Sequence, residues 1–254
     1  MSKTHIDINC DMGEGLGMWR IGDDIDLEIM PLVSSINLAA GFHAGDPNII
    51  HHTIIQAKQH GLGVGVHPGF RDLLGFGRRH IRASAQELVN DTIYQLGAVR
   101  EFVNLHGLTL QHFKLHGALY MHAAVDEAFA ELLVDTLHRI DDRLPILVMA
   151  GSVIERMARA KGHPVIREFY ADRDYDDSGS IVFTRRVGSL SSKNVADKVM
   201  QACLEGTVNT VQGNTISIEF ESICIHSDTE GALALMQDTR KQLDQAGISV
   251  QSFA

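Results

Sequence analysis

The sequence predicts a single-domain α/β fold wound as a closed or nearly closed (β/α) barrel, and three observations carry that prediction. The first is the stretch from Asn37 to Arg79, which reads strand, polar loop, helix, strand, polar loop. Such a unit makes parallel strands, so both loops open on the same edge of the sheet. The second is the recurrence of polar residues after strand ends: Asn9/Asp11, Asn37/His43, His67, Lys114/His116, Asp172 and His226/Asp228. An open doubly wound sheet gathers its site at one switch point, whereas six contributing strand ends suit a barrel mouth. The opposite strand ends show nothing comparable. The third is size: 254 residues, 44% of them hydrophobic, can bury one large core, and no linker, repeat or low-complexity segment divides 1–254.

Taken in order, His5 to Asn9 alternates as a first strand and runs into a loop, Cys10 to Gly17, rich in glycine and acid. Asp23 and Asp24 suit helix capping. Ile36 to Ala40 and Leu62 to Val66 are short apolar strands, each running into a histidine loop. The helix between them opens at Asp46-Pro47, an N-cap followed by proline at the first helical position. Ala83 to Asn104 is a long helix whose Ser84 and Glu87 form a capping box. Leu110 to Leu115 is a strand that places Lys114 and His116 on one face. A helix from Asp126 to Ile140, a strand from Ile146 to Ala150, a helix to Lys161 and a strand from Val165 to Phe169 follow. Asp176 to Gly188, with Gly179, Arg185 and Arg186, reads as an extended flap. A helix from Ser191 to Leu204 precedes a hairpin of Thr207 to Val211 and Thr215 to Ile218. Ser222 to Ile225 is an apolar strand, a helix runs to Gln245, and Ile248 to Val250 can form a last strand.

Composition narrows the partners. A net charge of -10 with acids spread along the chain argues against a nucleic-acid groove. No apolar run approaches the ~20 residues of a membrane span. The opening residues lack signal-peptide architecture, and Cys10, Cys203 and Cys224 have no metal-like spacing, so a reducing cytoplasm is expected. Among 14 histidines, His51, His52 and His60 lie on a predicted helix and are expected to be surface residues.

The remaining polar residues point to acid–base chemistry or a metal. Asp11 and Glu14 suit bases, ligands or hydrogen-bond acceptors better than a phosphate cradle, because two acids repel phosphate. No G-x-x-x-x-G-K-S/T and no G-x-S-x-G occurs, so neither a Walker loop nor a serine elbow is expected. Cys10 beside Asp11 is a poor nucleophile, since a neighbouring carboxylate raises its pKa. Several histidines with an aspartate could bind zinc or a related ion, although no H-x-x-E-H spacing exists. Without a metal they supply acids and bases near neutral pH. A buried Lys114 suits proton transfer or an anion clamp. Asp172 and Arg173 suit either the site or a flap salt bridge.

These motifs resemble a known family. The runs Asp7 to Glu14, Asn37 to Pro47, His67 to Phe70, Gly75 to Arg79, His116 to Tyr120 and Phe169 to Arg173 are similar to the LamB/YcsF family, and the likeness spans about Ile6 to Ile248. It implies a barrel-like fold of the glycoside hydrolase/deacetylase type. It further implies ATP-dependent opening of the 5-oxoproline lactam to glutamate by a 5-oxoprolinase with two partner subunits, B and C. Carried over by motif position, Asp11, His43, His67, Lys114, His116 and Asp172 would be catalytic. Asn9, Glu14, Asn37, Asp46, Arg78, Arg173, His226 and Asp228 would bind substrate, with Lys114 or Arg78 suited to its carboxylate. ATP would be a co-substrate whose site the sequence does not locate, a divalent metal a further option, and a homo-oligomer compatible. The chain departs from the family pattern at Ala40 (usually cysteine), Leu115 (usually proline) and His226-Ser227-Asp228-Thr229 (usually H-G-D-N). A stand-alone metal-dependent amidase or deacetylase, or a non-catalytic lactam-binding subunit, are the rival expectations.

Overall fold

A computed structural model describes residues 3–20, 25–185 and 187–253. Asp23, Asp24 and Arg186, discussed above as caps and flap, lie outside them. The barrel strands are β1 (His5–Met12), β2 (Ser35–Ala39), β3 (Gly63–His67), β4 (His112–Phe113), β5 (Ile146–Met149), β6 (Val165–Tyr170) and β7 (Ser222–Cys224). They pair in that order, all parallel, and β7 returns to β1 through Asp7↔Ser222, Ile8↔Ile223 and Asn9↔Cys224. The ring is therefore closed, with seven strands. A further strand, β8 (Ser249–Val250), pairs with His5 and Ile6 of β1 outside the ring.

Among the described residues, seven helices of nine residues or more cover the barrel: α1 (Pro47–Gln59), α2 (Ala85–Leu105), α3 (Gly117–Val125), α4 (Glu127–Ile140), α5 (Val153–Lys161), α6 (Ser192–Glu205) and α7 (Ala232–Gln245). The caps predicted at Asp46 and Ser84 hold. Asp46 accepts from the backbone of Asn48 and Ile49 at α1, and Ser84 and Glu87 complete the capping box at α2. Helix α3 was not expected from the sequence. Its Ala118, Leu119, Tyr120, Ala123 and Ala124 are all buried and His116 gives no side-chain cap, so neither amphipathic periodicity nor a capping residue announces it. The strand expected over Leu110 to Leu115 shrinks to two residues, while β1 runs on through Asp11. Asp176 to Arg185 is extended and irregular apart from a turn closed by Gly179 N–H to Asp176 O, as a flap should be.

Alternation decides what faces inward. Ile6, Ile8, Cys10, Ile36, Leu38, Val64, Val66, Phe113, Phe169 and Ile223 are buried in the hydrophobic core. The intervening Asp7, Asn9, Asp11, Asn37, His112, Lys114, Glu168 and Ser222 bond one another across the barrel. Most barrels of this class fill their interior with branched apolar side chains. Here the inside is a polar ladder. His112 fits because β3 has glycine beside it, since a Cβ on Gly65 would lie 2.1 Å from His112 Nε2. The expectation that the opposite strand ends are featureless is corrected: Asp7 is buried there, bonded by the hydroxyls of Ser34, Ser35 and Ser222.

Candidate active site

At the C-terminal end the strands bring Asp11, His43, His67, Lys114, His116, Asp172 and His226 into one buried cluster. Asp11 is the hub. Its Oδ1 accepts from Asn37 Nδ2 at 2.8 Å and from Lys114 Nζ at 3.2 Å. Its Oδ2 lies 3.2 Å from His67 Nε2 and 3.7 Å from His226 Nε2. Burial pushes the Asp11 carboxyl up, but the charges of His67 and Lys114 outweigh it and hold the pKa well below the usual carboxylate range. Asp11 is thus an ionised base inside the barrel.

Lys114 is shared between two acids. Its Nζ also reaches Glu168 Oε1 at 3.0 Å, Asn9 Oδ1 at 3.1 Å and Cys224 Sγ at 3.1 Å. Burial favours the neutral amine, but the facing acids, Asp11 foremost, keep it an ammonium. A buried lysine stays charged only where paired. Glu168 was missed in the sequence, although counting back in twos from Asp172 along β6 reaches it through Tyr170. Its second oxygen accepts from the Tyr170 hydroxyl at 3.0 Å.

The histidines on the other side of Asp11 form a donor set. His67 Nδ1 lies 2.9 Å from the Lys114 carbonyl and His116 Nε2 lies 2.8 Å from the Phe76 carbonyl. A carbonyl only accepts, so both of those nitrogens carry hydrogen. In neutral rings that leaves two lone pairs, His67 Nε2 and His116 Nδ1, facing each other across 2.9 Å. Asp11 Oδ2 lies 3.2 Å from the same His67 Nε2, so these acceptors call for a cation among them: a proton on His67 Nε2 or a metal ion. Glu14 Oε1 stands 3.4 Å from His116 Nδ1 and 3.2 Å from His43 Nε2. Ligand atoms of Glu14, His43, His67 and His116 all lie within 4.8 Å of one another. This buried cluster could hold a metal ion. Burial keeps His43 and His116 neutral, the form in which imidazole ligates, and raises Glu14 above an ordinary glutamate. The backbone has been shaped for it: Phe76 takes φ 52, rare for a side chain of this size. Next to it, a Cβ on Gly77 would meet His116 Cδ2 and His43 Cβ at 2.8 Å.

A second group closes the other flank. Asp172 binds His226 Nδ1 at 3.0 Å, Arg173 Nη1 at 2.8 Å and Thr229 Oγ1 at 2.7 Å. The charges of His226 and Arg173 overcome its burial and hold it far below the usual range. Asp172 and Arg173 pair with each other inside this group rather than with the flap's charges. Thr229 and Ser227, where the chain departs from the family pattern, bond site residues directly, Ser227 Oγ donating to the Asp11 carbonyl at 2.9 Å. Arg78 Nη1 pairs with Asp228 Oδ2 at 2.7 Å and donates to Arg185 O of the flap at 2.9 Å.

Between these groups lies a cavity of about 30 Å³ lined by Asp11, His67, Arg173, His226, Tyr120 and, from the flap, Phe183. Not every sequence-proposed residue lines it. Asp46 is not at this cavity: its carboxylate caps α1 and accepts from Gly17 N–H at 2.7 Å. Asn9 and Asn37 belong to the ladder below, orienting Glu168 and Asp11. His51, His52 and His60 are exposed, as expected.

A model described as the LamB/YcsF family matches residues 6–254. The chain belongs to the LamB/YcsF family. A relative from Pseudomonas aeruginosa, 5-oxoprolinase A subunit 1, is 59% identical over 98% of this chain and 99% of its own length. The 5-oxoprolinase A subunit of Rhodopseudomonas palustris is 40% identical over 98% of each. Among solved structures, the lactam utilization protein from Thermus thermophilus superposes with a TM-score of 0.91 at 38% identity, covering 98% of this chain and 100% of that one. That protein shares this barrel along its whole length. Among the described residues no helix is long and apolar enough to cross a membrane.

Proposed function

We propose that this chain is the lactam-opening subunit of an ATP-dependent 5-oxoprolinase, converting 5-oxo-L-proline to L-glutamate together with partner subunits B and C. The observation that carries the reading is full-length likeness to proteins named as the A subunit of 5-oxoprolinase, coupled to a barrel mouth built for acid–base chemistry. Lactam opening adds water across the C–N bond, so a base must take a proton from water and an acid must give one to the leaving nitrogen. Asp11 and His67 form a buried couple, Oδ2 to Nε2 at 3.2 Å, able to do both in turn. Lys114 fixes the Asp11 charge, and Asp172 fixes the orientation of His226 on the far side. Arg173 and Arg78 supply positive charge for the substrate carboxylate. If a divalent ion occupies Glu14, His43, His67 and His116, it supplies Lewis-acid polarisation and a more acidic water.

A hydrolysed amide that gains no ring-strain relief needs an energy source, which is the place of ATP. The chain has no G-x-x-x-x-G-K-S/T, so we assign the nucleotide to the partner subunits. Free, buried Cys10, Cys203 and Cys224 accord with a cytoplasmic setting. The test is glutamate release from 5-oxoproline and ATP. Turnover is expected with co-purified partners and not from the chain alone; absence of turnover in the complex, or robust ATP-dependent turnover by the chain alone, overturns the reading. The Glu14–histidine cluster favours one second reading, a stand-alone metal-dependent amidase. Chelator-sensitive, ATP-independent amide hydrolysis by the isolated chain would select it.

A further inference from the structure

The polar atoms around the cavity are nearly all committed. Asp11 answers Asn37, Lys114 and His67, while Asp172 answers His226, Arg173 and Thr229. The Tyr170 hydroxyl donates to Glu168 Oε2 at 3.0 Å. Tyr120 is different. It sits in the first turn of α3, four residues after His116, and its side chain lines the cavity edge-on to Tyr170, ring centroids 5.8 Å apart at 74°. It is 7% exposed, yet its hydroxyl oxygen is buried with no hydrogen-bond partner of sound geometry. The Tyr170 hydroxyl, which gives its own hydrogen to Glu168, is close enough to act as a weak acceptor for Tyr120 but lies outside good hydrogen-bond geometry.

A buried hydroxyl without a partner costs stability, and phenylalanine would fill the same space without that cost. The position therefore makes sense when something not made of protein accepts the hydrogen. We propose that the Tyr120 hydroxyl is an anchoring donor for the bound lactam, taking an oxygen that carries full or partial negative charge: the carboxylate or the ring carbonyl. The proposal rests on the lactam reading of this cavity given above. Burial raises the phenol pKa well above its ordinary value, so the group remains an O–H donor throughout the physiological range. The lysine and both arginines of the cavity, Lys114, Arg78 and Arg173, are already paired with carboxylates. An uncommitted neutral donor adds recognition there without adding charge.

The test measures binding of 5-oxoproline and of 2-pyrrolidone, the same ring without its carboxylate, to the wild-type chain and to Tyr120→Phe by calorimetry. The melting temperature of each ligand-free protein is recorded alongside. The wild type is expected to bind 5-oxoproline, and Tyr120→Phe to bind it at least about 10-fold more weakly, as for a lost hydrogen bond to a charged group. The ligand-free variant should melt at the same temperature or higher. Weakening confined to 5-oxoproline supports donation to the carboxylate, and weakening for both lactams supports donation to the carbonyl. Undiminished binding by Tyr120→Phe overturns the Tyr120 assignment and leaves the lactam site standing. A melting temperature lowered by more than about 5 °C means the hydroxyl has a structural partner, and overturns it too. If the wild type binds neither ligand, the lactam reading of this cavity fails together with the assignment.

Discussion

Lys114 Nζ lies 3.2 Å from Asp11 Oδ1, with both side chains shielded from water inside the barrel. The pair is one arm of a three-membered arrangement, because Glu168 holds the same ammonium at 3.0 Å. Asp11→Asn keeps the shape and the Asn37 contact while Glu168 still neutralises the lysine. Its stability loss should be about 1–3 kcal/mol, whereas turnover of the complex should fall at least ~100-fold. Urea unfolding and glutamate release on one preparation check both. Near-normal turnover by the folded variant would remove Asp11 from the mechanism.

Lys114→Met should be the more damaging change to the fold. It removes the cation that two buried carboxylates share, at a cost of roughly 3–5 kcal/mol. Combining it with Asp11→Asn should cost less than the sum of the two, since the second change relieves the first. Additive losses would show that the two residues act independently.

The donor set at Glu14, His43, His67 and His116 predicts one bound divalent ion per chain, read by elemental analysis after incubation with zinc and desalting. His116→Asn should weaken zinc affinity at least ~10-fold while the Asp172 side of the site is untouched. Equal zinc affinity in both proteins would place the ion elsewhere.

At the other end of the barrel, burial holds the Asp7 carboxyl up at about 6 against an ordinary 3.8, despite the serine hydroxyls that lower it. Its protonated form is favoured by folding. The contribution is fully present below pH 4 and lost as pH rises through 6, a change of roughly 3 kcal/mol. Asp7→Asn should therefore gain stability relative to wild type as pH goes from 4 to 7, by denaturant titration at each pH. A difference independent of pH would mean that Asp7 titrates normally.

Arg78 ties the flap down through Arg185 O, and Arg185 itself is exposed. In Arg78→Met the flap should loosen and trypsin should cut after Arg185 several-fold faster than in wild type. Unchanged cleavage kinetics would mean that the flap is held by Ile181 and the Tyr175 bridge instead.

What was legible in the sequence was whatever depends on short-range pattern. Histidines and acids after apolar runs placed Asp11, His43, His67, His116, Asp172 and His226 on one mouth, because a parallel strand has only one end to offer a loop. Residues inside the ring were harder. Glu168 and His112 sit in strands next to polar neighbours, Arg167 and Gln111, and nothing local says which of the two faces the barrel axis. Asp46 shows the reverse failure. An acid beside glycine and before proline looks the same whether it serves a ligand or a helix end, and here it serves the helix. Helix α3 was invisible because apolar residues on nearly all its faces erase the periodicity by which helices are found.

The two-residue β4 leaves its mark on how the cylinder breathes. Phe113↔Ile146 is the one registered pair joining it to β5, whereas β1 and β2 are joined by four. A ring of hydrogen bonds opens first at its shortest junction, so the amides around Phe113 and Lys114 should exchange with deuterium before those of β1. Lys114 and His116 follow directly on that strand. The ammonium that fixes Asp11 and the imidazole that faces His67 are thus mounted on the least firmly stitched stave, and fluctuations there reach the chemistry before they reach the core.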